Sequence, residues 1–260
     1  MGDLPPLVAA YLLVIAAVSG ACAGSFINCA ALRHVSGEKI SRGRSHCPKC
    51  GHTLGVLDLI PILSWVFLRG KCRYCKAPVS GRYPLTELIC AAAYVTAAAR
   101  FGLSFMTLEC IALFSILLAV ALIDLDTMEI PNGLVIAGAA VFLVFLFTHD
   151  DPLDRLIWGA IGGVAFGGGL LILSLIMDKV MGRESMGGGD IKLLAMLGLF
   201  TGPAVGLFLI ILACFTGLLF ALLSRSKGKA FPFGPAIALA AWPALLAGAD
   251  IVAWYLSLFM

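Results

Sequence analysis

Apolar residues in this chain come in long blocks separated by short polar stretches. Runs of about 20 such residues, the length that crosses ~30 Å of hydrocarbon as a helix, can be read at 6–32, 83–99, 104–123, 131–148, 156–177, 191–201, 203–223 and 235–257. The sixth is short and punctuated by glycine and proline, so the expected count is eight crossings, or seven if that block does not span. The second is nearly all alanine around Tyr94 and must lean on its neighbours. Only one polar stretch is long. The pattern predicts an all-α polytopic membrane protein of about eight transmembrane helices with one small loop domain, which the cysteines and charges below make a cytoplasmic zinc-knuckle domain. Its parts are a first helix (1–32), the loop domain (33–82) and a transmembrane remainder (83–260).

Composition agrees. The chain is 61% apolar and 13% charged, with a mean hydropathy of +1.02, more apolar surface than one soluble core of 260 residues needs. Placing 33–82 in the cytoplasm also puts 124–130, 178–190 and 224–231 on that side by alternation. That side, with Lys192 at its edge, then holds every Lys and Arg except Arg100 and Arg155, 16 of 18. Such a bias orients a membrane protein: both termini fall outside and the large loop inside. The first block is read as an uncleaved helix despite Ala21-Cys22-Ala23, because Met1-Gly2-Asp3 is no basic n-region. The net charge of +3 thus reflects orientation and gives no reason to expect nucleic acid as a partner.

Four of the nine cysteines lie in the polar loop, as Cys47-Pro48-Lys49-Cys50 and Cys72-Arg73-Tyr74-Cys75. Each C-x-x-C can offer two thiolates to one face of a tetrahedral metal, and two such knuckles complete a four-sulfur site with no open position. A reducing cytosol disfavours disulfides there. The expected cofactor is a structural Zn2+ on Cys47, Cys50, Cys72 and Cys75, with two redox pairs as the alternative and His46 and His52 as possible competing ligands. The other cysteines fall in the apolar blocks and read as small buried side chains. Between the knuckles, Leu57–Gly70 is strongly apolar for a cytosolic loop. It is either the loop's own core or a segment lying on the membrane surface.

Two aspartates sit at the edges of apolar blocks on the same predicted face: Asp124, closing 110–123, and Asp190, after Gly187-Gly188-Gly189. A carboxylate at the end of a membrane helix is half-desolvated and suited to proton transfer. Two together suggest an acid/base pair sharing one proton.

These residues resemble the bifunctional type IV prepilin peptidases. The resemblance is carried in order by Gly24-Ser25-Phe26-Ile27-Asn28; by the loop from Cys47 through Ile60-Pro61 and Ser64 to Gly70-Lys71-Cys72, Cys75, Arg82-Tyr83-Pro84 and Glu87; by Asp124 with Ile130-Pro131-Asn132; and by Gly187, Gly189-Asp190 and Lys192. Arg33-His34-Val35 departs from the family's usual Arg-Leu-Pro. The resemblance implies cleavage of prepilin and pseudopilin leaders at the cytoplasmic face of a bacterial inner membrane. Asp124 and Asp190 would be the catalytic pair, Asp126 being read as a solvated neighbour. It also implies methylation of the new N-terminus from S-adenosylmethionine, with Gly70, Lys71 and Glu87 as candidates for that cofactor's site. No Rossmann-type glycine motif is present, so that site must be built differently. Asn28 reads more readily as a helix–helix hydrogen bond. A protease without methyl transfer and a proton-relaying transporter are the competing readings.

Overall fold

The computed structural model describes residues 5–39, 43–183, 185–223 and 232–259. They form eight α-helices and no β-strand: α1 (Pro6–Val35), α2 (Leu63–Phe67), α3 (Arg82–Phe101), α4 (Phe105–Thr127), α5 (Asn132–Phe145), α6 (Pro152–Met181), α7 (Gly188–Leu223) and α8 (Gly234–Ser257). The expected cytoplasmic stretch 224–231, residues 1–4 of the first part and residues 40–42 of the loop domain lie outside the described residues. The chain divides within α4 into two compact units, Met1–Ala119 and Val120–Met260.

Helix boundaries follow local chemistry. Pro6, Pro152 and Pro235 stand at or next to the first helical position, where a missing N–H costs nothing. Asp151 caps α6 by accepting the Asp154 amide. Gly182 closes that helix in the left-handed conformation.

In the first unit α1 and α3 pair through small residues. Gly20 lies so close to Ala91 Cα that an added Cβ would stand 2.8 Å away, and at Gly24 a Cβ would stand 2.7 Å from the Thr86 carbonyl oxygen. This Gly-x-x-x-Gly spacing lets two backbones touch where lipid supplies no hydrophobic drive. The alanines of α3 fill the seam, with Ala97 and Ala98 fully buried. The Tyr94 and Ser115 hydroxyls share a 2.8 Å hydrogen bond between α3 and α4. Arg82 Nε donates to Asn28 Oδ1 across the α1–α3 seam, so Asn28 does make a helix–helix hydrogen bond.

In the second unit Gly162 of α6 meets Gly198 of α7 backbone to backbone; a Cβ on either would fall 2.3 or 2.6 Å from the other's carbonyl oxygen. Phe142 of α5 is buried edge-on to Phe200. The element α7 is broken at Gly202 (φ 63°, ψ −174°), followed by Pro203. As one rod its 36 residues would span about 54 Å. Its two ends instead meet the same turn: Gly217 packs on Phe233, while Asp190 is within electrostatic reach of Asp124, which bonds Gly234. The chain therefore doubles back at Gly202, between the blocks predicted at 191–201 and 203–223.

Five described helices, α1, α4, α6, α7 and α8, are long and apolar enough to cross a membrane. The expected tally of eight is not established on those criteria. One reason is that two predicted blocks share α7. A second is that 132–148 is a shorter apolar helix. A third is that α3 is built on alanine, with Arg82, Glu87 and Arg100 in its length. A multi-pass helical membrane protein is nonetheless plain.

Candidate active site and metal centre

Asp124 lies in the last turn of α4, 4% exposed, and its Oδ2 accepts the Gly234 amide at 2.8 Å. That amide is at the N-terminus of α8, where N–H groups have no helical partner and favour an anion. Gly234 is confined: a Cβ there would stand 2.6 Å from Asp124 Oδ2. Asp126, two residues on, is exposed. The helix ends at Met128, which holds φ 57° and returns its amide to the Asp124 carbonyl.

Asp190 lies in the first turn of α7, half-buried, and interacts electrostatically with Asp124. The residues around the two carboxylates interlock. Gly189 faces Ile130, where a Cβ would be 3.1 Å from the Ile130 side chain. Lys192 Nζ donates to Asn132 Oδ1 at 3.1 Å. The structure thus brings the segments around Asp124 and Asp190 together although 66 positions separate the aspartates. Sequence reasoning missed Gly234. Its signal is the Gly234-Pro235 pair at the head of an apolar block, which marks a helix start but not its neighbour.

The four loop thiols Cys47, Cys50, Cys72 and Cys75 gather with every Sγ within 4.8 Å of the others. Cys47 and Cys75 are 3.9 Å apart; tetrahedral zinc bonds of about 2.3 Å require sulfurs ~3.8 Å apart, so the set fits that metal. Both knuckles fold alike. The amide four residues past the first cysteine returns to its carbonyl (Gly51 to Cys47, Lys76 to Cys72), and each turn is closed by an antiparallel bridge. Gly51 and Lys76 both take positive φ, 70° and 60°. Backbone amides of Cys50 and then Lys49 lower the Cys47 pKa to about 6, whereas Cys50, despite the His52 amide, is pushed up to about 11 by burial and the neighbouring thiols, so in this pair the first thiolate forms on Cys47. His52 stacks on Tyr74 at 3.6 Å, tying one knuckle to the other.

The remaining site candidates frame the segment between the knuckles. Gly70 (φ 67°) sits beneath the Trp65 ring, with no room for a Cβ. Lys71 is exposed. Buried Glu87 accepts the amide of Ile62 at 2.6 Å. Ile62 is the centre of a tight turn at φ 61°, ψ −54°, a conformation a β-branched residue holds only when its surroundings enforce it. Gly70 and Glu87 therefore shape this segment.

Together these features define a class: a multi-pass helical membrane protein in which two carboxylate-bearing helix ends are held together and, separately, four thiols cluster in a loop. Comparison with known proteins narrows it. Residues 18–101 match the bacterial peptidase A24 N-terminal domain and residues 111–222 match the type IV leader peptidase family. The chain is 40% identical to a prepilin leader peptidase/N-methyltransferase of Aeromonas hydrophila, over 84% of this chain and 76% of that one. It is 35% identical to one of Bacillus subtilis (95% and 99%) and 34% to one of Pseudomonas putida (94% and 93%). No solved structure matches it. The chain belongs to the type IV leader peptidase family, whose members here carry both peptidase and N-methyltransferase activity in their names.

Proposed function

We propose that this protein cleaves the leader from type IV prepilins and related pseudopilins at the cytoplasmic face of the inner membrane, then methylates the new N-terminus. What supports the cleavage half is that the helix ends carrying Asp124 and Asp190 are held together, through Gly189 against Ile130 and Lys192 on Asn132, closely enough for the two charges to act on each other. A prepilin presents a basic leader, a processing site and a long apolar helix, so its scissile bond lies where a membrane helix ends. Two neighbouring carboxylates share one proton. The ionised one takes a proton from water as it attacks the amide carbonyl; the protonated one polarises that carbonyl and delivers a proton to the leaving amine. Their titration belongs to the pair. The Gly234 amide holds Asp124 in one orientation, and Gly189 lets the Asp190 backbone close on Ile130.

Zinc on the four thiols would have no vacant position and would fold the loop. S-adenosylmethionine would supply the methyl group. Gly70, lying under Trp65, and Glu87, engaged by Ile62, form no evident cradle for that donor. Their part in methyl transfer is to hold the 60–70 segment, beside which Lys71 presents its ammonium at the surface.

The test is mass spectrometry of a prepilin incubated with purified protein and S-adenosylmethionine. Leader loss with one added methyl group is expected. Asp124→Asn and Asp190→Asn should each abolish cleavage while leaving S-adenosylmethionine binding intact; cleavage at the wild-type rate in either would remove the pair from the mechanism. Leader loss without methylation would leave an aspartyl protease alone.

A further inference from the structure

The segment between the knuckles is built inside out. Val56 and Phe67 are 79% and 80% exposed, and Leu57, Leu59, Leu63 and Val66 are exposed with them. The polar groups turn inward instead. Asp58 accepts from the Gly55 amide, the Arg73 guanidinium and the Tyr74 hydroxyl. Trp65 Nε1 donates to the Val79 carbonyl at 3.1 Å, and the Ile62 amide is taken by Glu87. A water-facing loop does the reverse, and an apolar surface of this extent marks an interaction site. These side chains are not a core for the loop.

The Glu87 bond sets the depth of the segment. Glu87 lies in the second turn of α3, where α1 is packed against it through Gly24. The Ile62 backbone therefore lies level with that turn and with Gly24 of α1, a helix long and apolar enough to cross the membrane. Leu85 and Leu88, on either side of Glu87, are themselves 56% and 57% exposed, so loop and helix offer apolar surface at the same level. The exposed cations Arg69 and Lys71 follow Phe67 at once. An apolar face with cations at its edge, held at the end of a membrane helix, has the composition of an interfacial element on anionic lipid.

We propose that residues 56–67 are inserted into the headgroup–acyl boundary of the membrane the protein spans, with phospholipid covering Val56, Leu63, Val66 and Phe67. The segment then acts as a second anchor for the loop domain, its depth fixed by Glu87 and its cations set among the headgroups. This placement depends on the chain being a membrane protein and not on the assignment of its catalytic residues.

Photocrosslinking tests it. The full-length protein carrying Phe67→p-benzoylphenylalanine, zinc loaded, is reconstituted in phosphatidylethanolamine/phosphatidylglycerol vesicles with a prepilin present, then irradiated and analysed by mass spectrometry. The same group at Val14, exposed about a third of the way along α1, is the lipid-facing control. Phospholipid adducts at position 67 with a yield matching position 14 are expected. Adducts to prepilin alone would make the patch a substrate groove, and adducts to a second copy alone would make it a dimer face. No adduct at 67 while Val14 labels would put the segment in water. Each of those three results overturns the proposal.

Discussion

A single methyl group separates Gly234 from any other residue at the carboxylate site. Alanine there would bring its Cβ to 2.6 Å from Asp124 Oδ2, so the carboxylate must move or lose its amide partner. Misplacement of a reacting group by about 1 Å costs on the order of 100-fold in rate, and Gly234→Ala is expected to lower prepilin cleavage by about that factor. Cleavage kinetics beside a thermal unfolding curve check it: unchanged rates with unchanged folding would free Gly234 of any role. The two knuckles offer an internal comparison at the same scale. Gly51 and Lys76 hold equivalent left-handed positions, which cost a residue with a Cβ about 1–2 kcal/mol. Gly51→Ala should speed zinc loss to a chelator, and Lys76→Gly should slow it or leave it alone. The reverse order would mean that the turns do not limit metal release. The knuckles were legible because four thiols at C-x-x-C spacing have few other uses in a reducing compartment. Gly234 was not, since its constraint comes from a side chain 110 residues away in sequence.

Among elements, the crossing of α6 with α7 is the tightest contact that glycine makes possible here. Gly162 and Gly198 each face the other's carbonyl oxygen, whereas Gly168 and Gly169 of α6 open onto free space. Overpacking of this kind typically costs about 1–3 kcal/mol, while relieving a helix of an unneeded glycine gains up to ~1 kcal/mol. Gly162→Ala should therefore lower the unfolding temperature in detergent and Gly168→Ala should hold or raise it. Equal shifts of the same sign would show that the crossing does not limit stability. The sequence displays the glycines of this block but cannot rank them, because rank depends on which face meets α7. Block ends were read more closely, within a few residues for 6–32, 104–123 and 235–257, since a membrane helix and its apolar run share one cause. The reversal at Gly202 is harder to see. Gly202-Pro203 marks a break between the blocks 191–201 and 203–223, and the meeting of both ends of α7 with the 233–234 turn makes that break a reversal.

For the whole molecule the question is which way the aspartate site faces. In the second unit, the contacts of Asp124 with Gly234, Ile130 with Gly189 and Asn132 with Lys192 gather three connections at one end. Lys179, Arg183 and Lys192 belong to that end, and the sequence adds Arg225, Lys227 and Lys229 between α7 and α8. The far end has Asp150, Asp151 and Asp154 with Arg155. Six of the unit's seven basic residues thus fall, by sequence, in the segments that flank this end of the helices, and on the positive-inside bias we propose that it faces the cytoplasm. Reporter fusions can read this directly, with alkaline phosphatase active only outside and a fluorescent protein folding only inside. Fusions after Asp151 and after Gly202 should give phosphatase activity, and those after Arg183 and Lys227 should fluoresce. The Gly202 and Lys227 pair also decides whether each arm of α7 crosses, because a shared sign would leave both points on one side. Fluorescence at Asp151 with phosphatase activity at Arg183 would turn the aspartates outward. A basic leader held in the cytoplasm could not then reach them, and the prepilin reading would fall with the orientation.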